Sequence, residues 1–278
     1  MPLPSAIGWG TDVYEAKFLP INSEGGIDVP GYPEPATDGF GGYRFNGPKN
    51  LTLNLGAPRA VTNVSQGRVN DTIYLPSTDA KTGEFHLSYI DQELFSILGS
   101  IKRRTDIGLA SIMPFGTDKQ GLEIAGSFII SNLAWHDENG AGGWHNYILP
   151  RTRAVVTMPS MDENALDVTV NLSLASARTH LWGEAVTLAK DGATQLMGYD
   201  YITNDPLNVW AWLADGSEDT FLLDPDRPAV ADGDALSLWN FTTGTEITGG
   251  VTKSTTSLVF GSVPTDGDLI IALYEFEL

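Results

Sequence analysis

The densest run of chemistry-bearing side chains is DPDRPAVADGDA at 224–235, which brings Asp224, Asp226, Asp232 and Asp234 close together. Carboxylates at that spacing suit a hard cation such as calcium, although the bidentate Glu and loop spacing of an EF-hand are missing. Acidic residues also start strands from turns, as Asp266-Gly267-Asp268 does before the final apolar run. His136 and His145 bracket HDENGAGGWH, with Asp137 and Glu138 between them, a set a transition metal would accept. Their neighbours Trp135 and Trp144 favour packing or hydrogen bonding instead. Trp182, Trp210, Trp212 and Trp239 offer either a sugar platform or the core of a β domain. With 35 Asp and Glu, a glycosidase pair would be defined only by separation in space. The G-x-S-x-G, Walker A, G-x-G-x-x-G and H-E-x-x-H signatures are all absent. The expectation is therefore no enzyme, with no catalytic residue, metal or cofactor.

The elements that would position these groups are strands. Thirty Gly, sixteen Pro and abundant β-branched and aromatic residues fit a mainly β chain. The absence of Cys removes disulfides and thiolate sites, so packing or oligomerisation must supply stability. Three long strands are expected at 122–135, 145–159 and 165–177. In the third, Leu166, Val168, Val170, Leu172 and Leu174 alternate with Asp167, Thr169, Asn171 and Ser173, giving one buried row and one wet row. Strands of that length exceed the usual five or six residues and hint at a larger assembly.

Residues 13–19 read as a strand followed by Pro- and Gly-punctuated coil. Between Gly39 and Gly83, two strands near 51–55 and 71–75 flank a flexible middle rich in Gly, Asn, Ser and Arg, which reads as a contact arm. A strand at 84–90 leads into a helix at 91–98, where Asp91 caps, Leu94, Ile97 and Leu98 form a stripe, and Gly99 stops it. Lys102, Arg103 and Arg104 follow as a basic cluster, a solvated turn or a dock for a neighbour's acidic surface.

Residues 1–182 hold thirteen Lys and Arg against nineteen Asp and Glu, whereas 183–278 hold three against sixteen. The acidic second part has short strands at 184–188, 209–213, 220–223, 235–239, 257–260 and 269–276. Two domains are therefore expected, 1–182 with the arm at 39–83, and 183–278 as an immunoglobulin-like β-sandwich, with the boundary somewhere in 178–208. The net charge of −19 argues against gripping nucleic acid but not against letting it pass. The first residues lack a charged and apolar leader, and no run reaches membrane-spanning length, so synthesis in a cytoplasm and no membrane partner are expected.

The order of features, with a strand, an arm, EFHLSYIDQELFSILGS, then long strands containing YILPRTRAVVTMP and LDVTVNLSLASA, resembles the tail tube proteins of long-tailed bacteriophages. The acidic C-terminal part is similar to the decorating domain some of them carry. The resemblance implies a tail-tube-type β-sandwich or barrel with one short flanking helix, plus the C-terminal sandwich. It further implies a virion tail protein assembled in a host cytoplasm, its partners being further copies of itself, other tail proteins and passing double-stranded DNA. Six copies would share strands around a ring, leaving no open edge, and stacked rings would carry the genome. Asp167, Thr169, Asn171 and Ser173 would then face the lumen as part of a polar, negative wall, felt by DNA only within a Debye length of about 8 Å. Arg44, Arg59, Arg68 and Asp71 would act between rings and Lys102, Arg103 and Arg104 between subunits. The competing readings are a carbohydrate-binding or adhesion module of two β-sandwiches, and a β-rich glycosidase.

Overall fold

A computed structural model describes residues 7–8, 13–21, 26–29, 39–45, 48–54, 59–65, 68–75, 81–87, 124–136, 143–156, 160–161, 166–174, 199–230 and 237–277. The protein is mainly β, and no helix occurs among the described residues. The helix expected at 91–98, the cluster Lys102, Arg103 and Arg104, and the strand expected at 184–188 lie outside them.

The first twelve strands are β1 (Ile7–Gly8), β2 (Val13–Pro20), β3 (Tyr43–Phe45), β4 (Pro48–Asn54), β5 (Arg59–Ser65), β6 (Arg68–Leu75), β7 (Thr82–Leu87), β8 (Ile124–His136), β9 (Gly143–Val156), β10 (Ser160–Met161), β11 (Leu166–Leu174) and β12 (Tyr199–Thr203). Ten of them make one antiparallel sheet in the order β3-β2-β8-β9-β11-β7-β4, with β1 beside β8, β10 beside β11 and β12 beside β9. The sheet rolls until β2 and β4 lie against each other. Its inner face closes a core of Ala16, Phe18, Phe45, Phe85, Ile130, Leu149 and the apolar row of β11. That row is Val168, Val170, Leu172 and Leu174, as the alternation requires.

Strand β9 explains how the sheet meets the rest of the chain. At about 3.3 Å per residue, its 14 residues give room for two partners end to end on one edge. Residues 144–148 pair with β12 and residues 152–156 with β11. Pro150, which has no N–H to donate, sits where the register to β8 slips between Gly126 and Phe128, so two residues of β9 oppose one. Before this bulge β9 is buried on both faces, and after it burial alternates, with Arg151 and Arg153 exposed.

The C-terminal unit contains β13 (Leu207–Leu213), β14 (Thr220–Leu222), β15 (Ser237–Asn240), β16 (Thr245–Glu246), β17 (Val251–Lys253), β18 (Ser257–Phe260) and β19 (Leu269–Glu275). Two sheets, β13-β19-β15-β16 and β14-β18-β17, enclose Trp212, Phe221, Leu238, Leu258, Ile270 and Tyr274. The strand order differs from the expected one. An immunoglobulin-like domain would set its first strand beside its second and its sixth beside its seventh, whereas here the first pairs with the last and the second with the sixth, a nested roll. Strand spacing located five of the seven strands, missing β16 and β17, and carries no information on pairing. Because β12 belongs to the large sheet, the described chain passes from that sheet to the sandwich at Asn204–Pro206, inside the 178–208 stretch where the boundary is expected.

A third core seals the two units together, with Leu19, Ile27 and Ile148 from the sheet side against Leu207, Val209, Ala211, Leu269, Ile271 and Leu273. Phe40 extends the contact by pairing with Ala211 through two backbone hydrogen bonds of 2.8 and 2.9 Å.

Candidate assembly surfaces and a buried polar junction

Strands β4 and β7 are direct neighbours, with Asn54 opposite Thr82. Everything between them is therefore an excursion from one strand pair. The excursion holds β5 and β6, paired from Arg59 opposite Leu75 to Ser65 opposite Arg68, with a register shift between Asn63 and Val64. The middle of the arm, expected to be flexible coil, is thus a β-hairpin, and among the described strands it pairs with no other. Val61, Val64, Val69 and Ile73 supply the β-branched residues that a strand favours, interrupted by polar ones. Arg59, Arg68 and Asp71 all lie on it. Arg44, the fourth arm candidate, lies on β3 and belongs elsewhere, as shown below.

The wet face of β11 continues across its neighbours. Ser173 stands opposite Thr82 on one side and Arg153 on the other, Asn171 opposite Glu84 and Val155, and Thr169 opposite His86. Beyond β7, Lys49, Thr52 and Asn54 extend the rows onto β4. Thr52, Asn54, Thr82, Glu84, Asn171 and Ser173 line a shallow groove of about 410 Å³. His86 Nε2 lies 2.9 Å from Glu84 Oε1. Asp167 shares the strand at a register position opposite Ser160. The face is polar and of mixed charge among the described residues, with Lys49, Arg151 and Arg153 accompanying Glu84. The excess acid of the chain lies after Gly183.

The second cluster was hidden in the sequence. On β2, Ala16 and Phe18 enter the rolled core while Leu19 enters the junction core. Glu15 and Lys17, with the exposed look of alternate charged residues, are buried beneath the sandwich. Lys17 Nζ donates to Asn208 Oδ1 and lies 3.6 Å from Glu15 Oε1. Arg227 pairs with Glu15 Oε2, and Arg44 pairs with Asp224 Oδ2. Asn208 Nδ2 donates to the Tyr274 hydroxyl at 2.7 Å and approaches Asp224 Oδ2 at 3.4 Å. Register sets this up, because Asn208 and Tyr274 are cross-strand partners and share a face. The Arg227 guanidinium lies over the Phe276 ring, 4.4 Å from its centroid. Burial pushes the Lys17 ammonium down to about 7, against attraction from Glu15 and Asp224 and with repulsion from Arg227 and Arg44. Burial also pushes the Tyr274 phenol up, so it stays neutral.

This arrangement reassigns the acidic run. Asp224 is 3% exposed, paired with Arg44, and its Oδ1 accepts the Asp226 backbone N–H at 3.1 Å. It serves the junction, while Asp232 and Asp234 lie outside the described residues. Of the proposed sugar platform, Trp212 is fully buried and donates its indole N–H to Leu222 O at 3.0 Å. Trp210 packs so tightly on Gly39 and Gly41 that a Cβ at either would fall within 2.5 Å of its ring. A second polar clasp holds the connection between units, where buried Asn146 accepts the Leu207 N–H at 3.2 Å and donates to Thr203 Oγ1 at 2.8 Å. No protein-family model matches the chain, and no curated protein matches it.

Proposed function

We propose that the chain is a structural subunit of a phage tail tube, assembling with copies of itself into stacked rings that conduct double-stranded DNA. The hairpin β5–β6 carries this reading. An isolated two-stranded hairpin is marginal in water, and this one is mounted on a strand pair that a short turn would close, with no other described strand beside it. Such an element gains its stability from a neighbour, and in a stack of identical rings that neighbour is the next ring. Two further features support the reading. The long strands β8 and β9 leave β3 and β4 as ends of the sheet order, edges that ring closure would pair. The polar face across β4, β7, β11 and β9 offers a lumen wall with Thr169, Asn171 and Ser173 on it.

The test is negative-stain electron microscopy of the purified protein at low and high concentration. Hollow rings or tubes are expected. Compact single particles at every concentration, with a melting temperature that rises in calcium or with a glycan, would transfer the assignment to a carbohydrate-binding module.

A further inference from the structure

We propose that Lys17 and Asn208 join covalently, the Lys17 amine displacing the side-chain amide nitrogen of Asn208 to form an isopeptide bond between the rolled sheet and the sandwich. The inference stands independently of the assembly reading.

Several features meet at one point. The amine already rests on the carboxamide it would attack, because Lys17 Nζ donates to Asn208 Oδ1, the oxygen bonded to the electrophilic Cγ, and preorganised placement of reacting groups removes much of the entropic part of a barrier. Both are shut off from water, at 1% and 0% exposure, so neither hydrolysis nor solvation of the amine competes. Two carboxylates flank the pair. Glu15 Oε1, 3.6 Å from Nζ, is buried and accepts no hydrogen bond among the described residues, and Asp224 Oδ2 lies 3.4 Å from Nδ2. The Tyr274 hydroxyl accepts from Nδ2 at 2.7 Å and so turns the carboxamide to present Oδ1 to Lys17.

Charge points the same way. Arg44 with Asp224 and Arg227 with Glu15 make two balanced pairs, so an ammonium on Lys17 would be a buried charge in excess. With its acidity raised so that it titrates at about 7, the group is present in good part as free amine at neutral pH, the form that attacks a carbonyl.

The step balances without a further reagent. The amine lone pair adds to Cγ of Asn208, forming the new C–N bond while the carbonyl π pair moves onto Oδ1. Glu15 takes one proton from the new ammonium. As the carbonyl re-forms, the bond to Nδ2 breaks, Nδ2 recovers that proton beside Asp224, and ammonia leaves. Glu15 ends as it began, and the product is a secondary amide bridging residues 191 apart in sequence.

The experiment is intact-mass spectrometry of the folded full-length chain, followed by tryptic digestion and fragmentation. The mass should fall about 17 Da below the unlinked chain, the loss of one ammonia. Cleavage after Lys17 should fail, and one branched peptide should carry both Lys17 and Asn208. Lys17→Met should restore the mass of an unlinked chain. Glu15→Gln keeps the side-chain volume without the base, and there the bond should form at least tenfold more slowly. Unbranched Lys17 and Asn208 peptides from folded wild-type chain held at pH 8 would overturn the proposal, and because that reading needs no variant, a misfolded mutant does not affect it. Bond formation at the wild-type rate in Glu15→Gln would overturn the part given to Glu15.

Discussion

In the sandwich, β19 runs between two cores, with Leu269, Ile271 and Leu273 toward the large sheet and Ile270, Ala272 and Tyr274 toward the opposite layer. Inserted between β4 and β7 of the large sheet, β5 and β6 form a separate two-stranded sheet and pair only with each other among the described strands. The sandwich buries both faces of its last strand inside this chain, whereas β5 and β6 have no further strand partner among the described ones. Under the proposed assembly, that hairpin is the part a second copy would complete. Burial on both faces of β19 also means that the sandwich is fused to the sheet and not loosely appended, since removing it would uncover Leu19 and Ile148.

The sharpest way to break this comparison is to remove the hairpin. Because Asn54 and Thr82 are already opposite each other, residues 56–80 can be replaced by an Asn-Gly turn without stretching β4 or β7, keeping Lys81, whose carbonyl accepts the Leu174 N–H at 2.9 Å. The expected result is a chain that melts within a few degrees of the parent but forms no tubes by electron microscopy. Long tubes from the shortened chain would show that stacking resides elsewhere.

A smaller effect probes the junction. In Asn208→Ala no bond to Lys17 can form, and the amine should keep the burial that, in the wild-type fold, lowers it from 10.5 to about 7. Between those values the unfolded chain holds the proton and the folded chain does not, so stability should rise with pH across that window, by up to roughly 5 kcal/mol. Below pH 7 both states are protonated and the slope should vanish. Wild-type protein whose amine is consumed in an amide should lack this slope, which chemical denaturation at a series of pH values would read. An equal slope in both proteins would contradict the covalent junction.

What the sequence made legible was local. The apolar row Val168, Val170, Leu172 and Leu174 faces the core, and the strands at 257–260 and 269–276 form within a residue of their expected bounds, because period-2 alternation and turn residues are properties of a few neighbours. The hairpin middle escaped because Gln66-Gly67 and polar strand residues such as Thr62 and Asn63 read as loop. The pairing of the sandwich escaped because which strand lies beside which is decided by long-range packing. The junction was least legible. Glu15 and Lys17 alternate with Ala16 and Phe18 as any half-exposed strand would, and only the partner 191 residues away turns their wet face into an interior.

The finest contrast lies between two glycines. Gly41 passes over the Trp210 ring, and a Cβ there would meet ring carbons at 2.3 Å, far inside van der Waals contact. The ring cannot retreat easily, since Gly39 also packs on it, where an added Cβ would meet the indole Nε1 at 2.1 Å, and the neighbouring Phe40 is tied to Ala211. Gly41→Ala should therefore loosen the strap that crosses the unit boundary, by about 1–3 kcal/mol as for other overpacked sites. At Gly249, in the sandwich, an added methyl would have nothing within 4 Å, and the backbone is not left-handed. There Ala should cost nothing and gain about 0.4–1 kcal/mol by restricting the unfolded chain. If thermal melts show a loss at Gly41 and a gain at Gly249, the tight fit is specific to the boundary between the units. Equal small effects at both would mean that the 39–45 segment rests on Trp210 without holding it.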